Sequence, residues 1–101
     1  MNKKEYLLTV LSEECAEVIE LCSKIIRFGE NNIAPDETST NKERIQAELN
    51  DIFGVISLLQ DENVLDENAL QGKFVVEKKN KVEKYWKEYS SIVPDWEWSI
   101  R

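Results

Sequence analysis

The sequence contains no histidine among its 101 residues. That absence excludes Ser-His-Asp and Cys-His catalysis, zinc sites with histidine ligands, and the Glu-x-x-His pairs of ferritin-like di-iron proteins. Any chemistry must therefore use carboxylates, amines, hydroxyl groups or a bound metal ion.

Long apolar runs are also absent. No segment approaches the roughly 20 apolar residues needed to cross a bilayer, and the N-terminus lacks the apolar core of a signal peptide. The sequence therefore favours a cytoplasmic protein with no membrane partner. The two cysteines, Cys15 and Cys22, are seven residues apart. On a helix their Cα atoms would lie roughly 10 Å apart, too far for a disulfide, so we expect reduced thiols in the core.

Basic residues are outnumbered, with 13 against 20 acidic residues and a formal net charge of −7. A nucleic-acid polymer is a poor partner for such a surface, because its binders need cations to displace counterions from phosphates. An anionic small molecule would need a divalent cation or a local group of Lys and Arg. We expect residues 1–101 to form one domain, whose small core favours self-association as a homodimer or homotetramer.

Glycine and proline are scarce, at three and two residues, and the apolar spacing is helical. The i, i+3, i+4, i+7 rhythm predicts a first helix from about Lys4 to Phe28, with Gly29 as its C-cap. Residues 30–41 have no periodicity and are expected to form a long loop. The capping-box pattern Thr40 to Glu43 opens a second helix that runs to about residue 59 or 60. The predicted fold is an all-α bundle of three to four helices, completed by oligomerisation.

The C-terminal third is less regular. Residues 61–65 break the pattern, and Asp66 is predicted to cap a third helix from about Glu67 to Tyr89. Gly72 weakens the first turns of that helix, which leaves a short separate helix open. The tail, residues 92–101, carries Trp96 and Trp98, and we expect it to dock on its own domain or on a neighbouring subunit.

Two acidic pairs share the same placement on the first two helices. At 100° per residue, Glu14 falls inside the apolar stripe of the first helix and Glu17 at its margin; Glu48 and Asp51 repeat this on the second. An ionised, unpaired acid on an apolar face costs several kcal/mol. Two such pairs facing each other therefore predict a site for Mg²⁺, with Mn²⁺ as a possible substitute. The neighbouring acids are expected to be solvated surface residues: Glu13 and Glu20.

Several cations are candidate substrate ligands. Lys78 and Lys81 fall on the stripe of the third helix, where they either extend to water or hold phosphate oxygens near the acidic site, with Asn80 less well placed. Lys24 and Arg27 lie at the end of the first helix. They fit a favourable interaction with the helix dipole and a role in substrate binding equally well.

The acidic motifs resemble those of a known family. Residues 12–17, Ser-Glu-Glu-Cys-Ala-Glu, followed by residues 48–51, Glu-Leu-Asn-Asp, are similar to the ExxE and ExxD motifs of the MazG-like all-α nucleoside triphosphate pyrophosphohydrolases. Residues 23–29 and 40–44 resemble a compact subgroup of that family that is common in phages and mobile elements. The resemblance covers roughly residues 8–85.

This resemblance implies Mg²⁺-dependent hydrolysis of a ribo- or deoxyribonucleoside triphosphate to the monophosphate and pyrophosphate. It implies that the carboxylates at 14, 17, 48 and 51 are the metal ligands and catalytic groups. It also implies basic residues and an Asn on a later helix, for which Lys78, Asn80 and Lys81 are the available positions. The base and sugar would be recognised by the loop over residues 27–41 and by a second subunit.

A second interpretation stays open from the sequence. The chain would then be a non-catalytic acidic helical module, an adaptor or an antitoxin-like protein that binds a basic partner through its charged faces. That interpretation predicts no dependence on Mg²⁺, so titration with the metal separates the two.

Overall fold

The structure, a computed structural model, describes residues 1–92, and within that range all regular secondary structure is helical. Helix α1 spans Lys3–Phe28, α2 spans Asn41–Asp61 and α3 spans Gly72–Ile92. The predicted all-α class is confirmed. The chain divides into two compact units, residues 1–67 and the chain from Asn68 onward, and the single domain over residues 1–101 stays a prediction. The tryptophans of the predicted docking tail lie outside the described residues.

Local sequence sets both ends of α1. The Asn2 side chain accepts a hydrogen bond from the Glu5 backbone N–H at 2.8 Å and so caps the N-terminus. At the other end Gly29 adopts a φ of 92°, and its N–H donates to the Ile25 carbonyl at 2.8 Å. A side chain is strained at such a φ, so glycine is the residue that suits this C-cap. The sequence predicted the cap correctly.

The capping box predicted at the start of α2 is confirmed. The Thr40 hydroxyl accepts from the Glu43 N–H at 3.1 Å, and the Glu43 carboxylate accepts from the Thr40 N–H at 3.0 Å. The backbone N–H of Thr40, and after it the Thr40 hydroxyl, donate to the ionised Glu43 carboxylate and so lower the pKa of Glu43. In the loop, the N–H groups of Asn41 and Lys42 donate to the carbonyls of Asn32 and Glu30, which closes residues 30–41 on themselves.

Helices α1 and α2 form an antiparallel hairpin. At one end the Asn41 side chain donates to the Gly29 carbonyl at 3.1 Å, which joins the end of α1 to the start of α2. At the other end Leu7 packs with Val55 and Leu59 in the buried core. The residues midway along each helix therefore lie opposite one another. Partly buried apolar residues complete the cluster: Val10, Leu11, Val64 and Leu65.

The third helix begins later than the sequence predicts. Residues 67–70 form turns, and α3 starts at Gly72 rather than at Glu67. The Gln60 side chain donates to the carbonyls of Asp66 and Glu67 at 3.1 and 3.2 Å. These hydrogen bonds tie the segment before α3 to the end of α2.

The expectation that the two cysteines lie in the core is wrong. Cys15 and Cys22 are free thiols, as their spacing predicted, but both are exposed rather than in the core. Helix α3 belongs to the second unit and contains no buried residue, so the apolar stripe that includes Lys78 and Lys81 is exposed along its own helix. The wheel identifies an apolar stripe about 100° wide or more, and only the part that meets another element is covered.

Candidate metal centre

Three of the four predicted carboxylates come together across the α1–α2 hairpin. Glu14, Glu17 and Glu48 each contribute one oxygen, and these three oxygens lie within 4.8 Å of one another. Glu14 and Glu48 are partly buried, whereas Glu17 is exposed. The three-residue spacing on α1 turns both glutamates to one side, and the antiparallel pairing places Glu48 opposite them.

The cluster has unsatisfied polar atoms. The Oε2 atoms of Glu14 and Glu48 are buried and have no hydrogen-bond partner among the residues that the structure describes. A buried acceptor without a donor costs about 1–3 kcal/mol, and more when it is charged. These atoms therefore need a proton or a cation.

The surroundings of Glu48 favour its protonated form. The hydrogen bonds that a protonated Glu48 can donate, first to Glu14 and then to Glu17, raise the pKa of Glu48 to about 8, and burial adds to the rise. Repulsion from the two negative neighbours acts in the same direction. Near neutral pH Glu48 is therefore protonated in the absence of metal, which lowers the negative charge of the cluster.

The donor set fits a hard divalent cation. Carboxylate oxygens that share one Mg²⁺, at about 2.0–2.1 Å each, lie no more than about 4.2 Å apart. The oxygens of the cluster lie within 4.8 Å, so small side-chain rotations would suffice to bring them to bonding distance. Two of the three residues carry the buried, unpartnered oxygens. We conclude that Glu14, Glu17 and Glu48 suit Mg²⁺ or Mn²⁺ in number, charge and ligand type.

A cavity of about 270 Å³ adjoins the cluster and is lined by Glu17, Glu20, Leu21, Arg44 and Glu48. The Nη1 atom of Arg44 is buried and has no partner among the described residues, while its Nη2 atom lies 3.5 Å from Glu37. A guanidinium group with a free donor is suited to phosphate oxygens. Sequence reasoning missed Arg44 as a site residue, although it precedes Glu48 by one helical turn and shares its face.

The fourth predicted ligand and the two α1 cations lie elsewhere. Asp51 is exposed on α2 and does not belong to the three-residue group. The Lys24 ammonium pairs with Glu20 at 3.1 Å, and the Arg27 guanidinium lies 5.1 Å from the centre of the Phe28 ring. Neither of these two contacts involves a residue of the acidic cluster, so the role of Lys24 and Arg27 in substrate binding stays a prediction.

The candidates on α3 belong to the second unit. Lys78, Asn80 and Lys81 are exposed, and Lys78 lines a separate cavity of about 330 Å³ with residues such as Phe74 and Leu70. Their predicted role in binding phosphate stays a prediction.

Comparisons of the chain with known protein families, with curated proteins and with solved structures found no match. Among the described helices, none is both long and apolar enough to cross a membrane. The resemblance to the MazG-like enzymes therefore depends on the motif residues of the sequence alone.

Metal binding should release a proton. Because the pKa of Glu48 is about 8, up from 4.5, Mg²⁺ must displace its proton at neutral pH. We expect apparent Mg²⁺ affinity to rise with pH up to about 8 and then to level off. Calorimetry in two buffers of different ionisation enthalpy near pH 7 should show close to one proton released per metal bound. Binding with no proton release would contradict the assignment of Glu48 as a ligand.

The stability of the metal-free protein should fall as the pH rises, whereas the affinity for Mg²⁺ should rise. The folded state keeps the Glu48 proton to a higher pH than the unfolded state, since its pKa is raised. The free energy of unfolding contributed by this group is therefore greatest below about pH 4.5 and is lost as pH rises towards 8. Saturating Mg²⁺ should cancel that loss.

Proposed function

We propose that the protein is a Mg²⁺-dependent nucleoside triphosphate pyrophosphohydrolase that converts a ribo- or deoxyribonucleoside triphosphate to the monophosphate and pyrophosphate. The observation that carries the proposal is the meeting of Glu14, Glu17 and Glu48 with two buried oxygens that have no partner in the described chain. The motif resemblance supplies the reaction class. The adjoining cavity and Arg44 supply room and positive charge for a polyphosphate.

In the proposed reaction, water attacks the α-phosphorus, the bond to the oxygen that bridges to the β-phosphorus breaks, and pyrophosphate leaves. The bound cation would neutralise the polyphosphate and lower the pKa of a coordinated water. Glu14 and Glu48 would hold the cation through their buried oxygens. Glu17, the most exposed of the three, or Glu14 would orient the water and accept its proton.

The substrate's negative charge must be balanced on both sides of the scissile bond. Arg44 has a free buried donor in the cavity wall and would hold a phosphate oxygen there. The resemblance adds Asp51 as a further ligand and Lys78, Lys81 and Asn80 as groups for the leaving pyrophosphate. Lys24 and Arg27 would act nearer to the base. Single substitutions at these positions would rank their contributions.

The proposal also includes a homodimer or homotetramer. Large apolar side chains remain exposed along the hairpin, and the buried core is small. Association of copies would cover such side chains and would add walls to an otherwise open substrate site. The exposed residues in question include Ile19, Ile26, Leu49 and Phe53. Sedimentation equilibrium at several concentrations measures the assembly, and a monomer at all of them would contradict it.

The direct experiment is a panel of ribo- and deoxyribonucleoside triphosphates assayed for pyrophosphate and monophosphate, with Mg²⁺, with Mn²⁺ and with a chelator. We expect at least one substrate to yield both products in equal amounts, and no turnover with the chelator. An adaptor or antitoxin-like module would give no product and no calorimetric signal with Mg²⁺. Release of inorganic phosphate instead of pyrophosphate would assign a different cleavage position.

A further inference from the structure

A second cavity, of about 520 Å³, lies where the end of α1, the loop and the start of α2 meet. Its volume falls within the range of small-molecule sites, and most of its walls are apolar. It shares no lining residue with the cavity of about 270 Å³ beside the carboxylate cluster, which we call the acidic cavity. The lining residues are Lys24, Phe28, Asn32, Ile33, Ala34, Pro35 and Asn41.

Asn41 gives this cavity a specific polar group. Its side chain has 0% exposure, its Nδ2 atom donates to the Gly29 carbonyl at 3.1 Å, and its Oδ1 atom has no partner in residues 1–92. Turning the amide over would bring Oδ1 against the Gly29 carbonyl oxygen, so the donor contact fixes the orientation. A buried acceptor is left in need of an N–H or O–H donor.

The two cavities are neighbours along α1. Lys24 in the wall of the larger cavity pairs at 3.1 Å with Glu20 in the wall of the acidic cavity. The two residues are one helical turn apart, about 6 Å along the helix. From Glu17 to Lys24 the rise is roughly 10 Å. A ligand with a flat apolar part and a polyphosphate part could therefore occupy both.

We propose that the cavity around Asn41 binds the nucleobase of the substrate, and that the base carries an exocyclic amino group that donates to Asn41 Oδ1. The inference rests on the proposed nucleotide substrate. Phe28, Ile33 and Pro35 would pack on the faces of the ring. Asn41 is thus a residue that determines specificity, and not a catalytic residue.

An amino-bearing base suits this acceptor better than uracil or thymine. The amino group of adenine, cytosine or guanine projects from the ring and can reach a single acceptor. The ring N–H of uracil and thymine lies between two carbonyl oxygens, which would approach the same acceptor. Two hydrogen-bond acceptors that face each other with no donor between them are disfavoured in a desolvated site.

The test is an NMR titration of the whole protein, labelled with ¹⁵N, in a buffer that contains a metal chelator. The ligands are the 5′-monophosphates of adenosine, cytidine, guanosine, uridine and thymidine. We expect the side-chain amide resonance of Asn41 to shift with at least one of the adenosine, cytidine and guanosine forms. The dimethylamino analogue of that ligand, which has lost both N–H donors, should bind at least about fivefold more weakly. Equal binding of all five, no binding at all, or no effect of methylation would overturn the inference.

Variants provide an independent arm. Asn41→Leu removes the acceptor and should abolish the difference between the amino and dimethylamino ligands, but it also removes the contact to Gly29 and its folding must be checked by circular dichroism. Phe28→Ala leaves that contact intact and should weaken base binding on its own. Tyr6→Ala is the matched control, because Tyr6 is 57% exposed on the same helix and does not line the cavity. Equal losses in the Phe28 and Tyr6 variants would also overturn the inference.

The two proposals fail in different ways. Base binding in the chelator with no pyrophosphate release from any triphosphate would contradict the enzyme and leave the base site standing. Pyrophosphate release with equal kcat/KM for all bases, and no shift at Asn41, would contradict the base site and leave the enzyme standing.

Discussion

Replacing Glu48 with Gln should reduce Mg²⁺-dependent pyrophosphate release by about 10²- to 10³-fold, the range expected for loss of a group that stabilises charge in the transition state. Glu48 is the only carboxylate that α2 contributes to the three-residue cluster, and its buried Oε2 atom has no partner in the described chain. The amide keeps one oxygen that could bind a cation, but it has no negative charge to balance the charge of that cation. The measurement is kcat/KM for pyrophosphate release, together with the calorimetric affinity for Mg²⁺.

The fold of the Glu48→Gln variant should be unaffected, because a protonated carboxyl group and an amide are close in size and both can donate to Glu14. Without metal and above about pH 8 the variant should melt at a higher temperature than the wild type, since wild-type Glu48 is then ionised beside two other carboxylates. Glu13→Gln is the matched control: Glu13 is exposed on α1, next to Glu14 in the chain, and is not part of the cluster. Retained activity in the Glu48 variant, or an equal loss in the Glu13 variant, would remove the cluster from the mechanism.

The Asp51→Asn variant tests whether the cation is held by the four residues of the motifs or by the three carboxylates that meet in the structure. The resemblance treats Asp51 as equivalent to the other ligands, whereas the structure has it exposed and outside the group of three. A loss as large as that of Glu48→Gln would show that Asp51 joins the site when metal and substrate are bound. A loss below about tenfold would leave the cation to three carboxylates.

The meeting of Glu14 and Glu48 was predictable because it follows from helix periodicity. Each acid falls on the apolar stripe of its own helix, and apolar stripes are the surfaces on which neighbouring helices pack. Gly29 and the capping box at Thr40 then fix where the chain turns, so the two acids come to lie opposite each other. These are local signals, and local signals are what a single sequence carries.

The features that escaped prediction depend on contacts between distant residues. Gln60 donates to the carbonyls of Asp66 and Glu67 ahead of α3, a contact that no propensity or spacing reveals. The burial of Asn41 likewise depends on the carbonyl of Gly29, twelve residues earlier. Asn41 is the first residue of α2, next to the N-cap Thr40, and nothing local marks it as a buried side chain with a free acceptor.

Leu59→Ala should have the largest effect on stability, a loss of about 2–5 kcal/mol in the free energy of unfolding. Leu59 has 0% exposure and packs with Leu7 and Val55, and its carbonyl accepts from the N–H groups of Val64 and Leu65 at 2.9 and 3.2 Å. The side chain thus joins the start of α1, the end of α2 and the turn that follows. In a protein of this size such a loss corresponds to a fall in melting temperature on the order of 10 °C or more.

Leu58→Ala is the matched comparison for Leu59→Ala, because it removes the same atoms from the adjacent position of the same helix. Leu58 is 43% exposed, so its truncation leaves no enclosed cavity and should cost less than about 1 kcal/mol. Ala and Leu differ little in helix propensity, and therefore the difference between the two variants measures packing alone.

Since the Leu59 cluster closes the hairpin whose middle carries the carboxylates, the melting temperature of Leu59→Ala should recover in part with saturating Mg²⁺. Equal melting temperatures for the two variants would mean that this cluster does not hold α1 and α2 together.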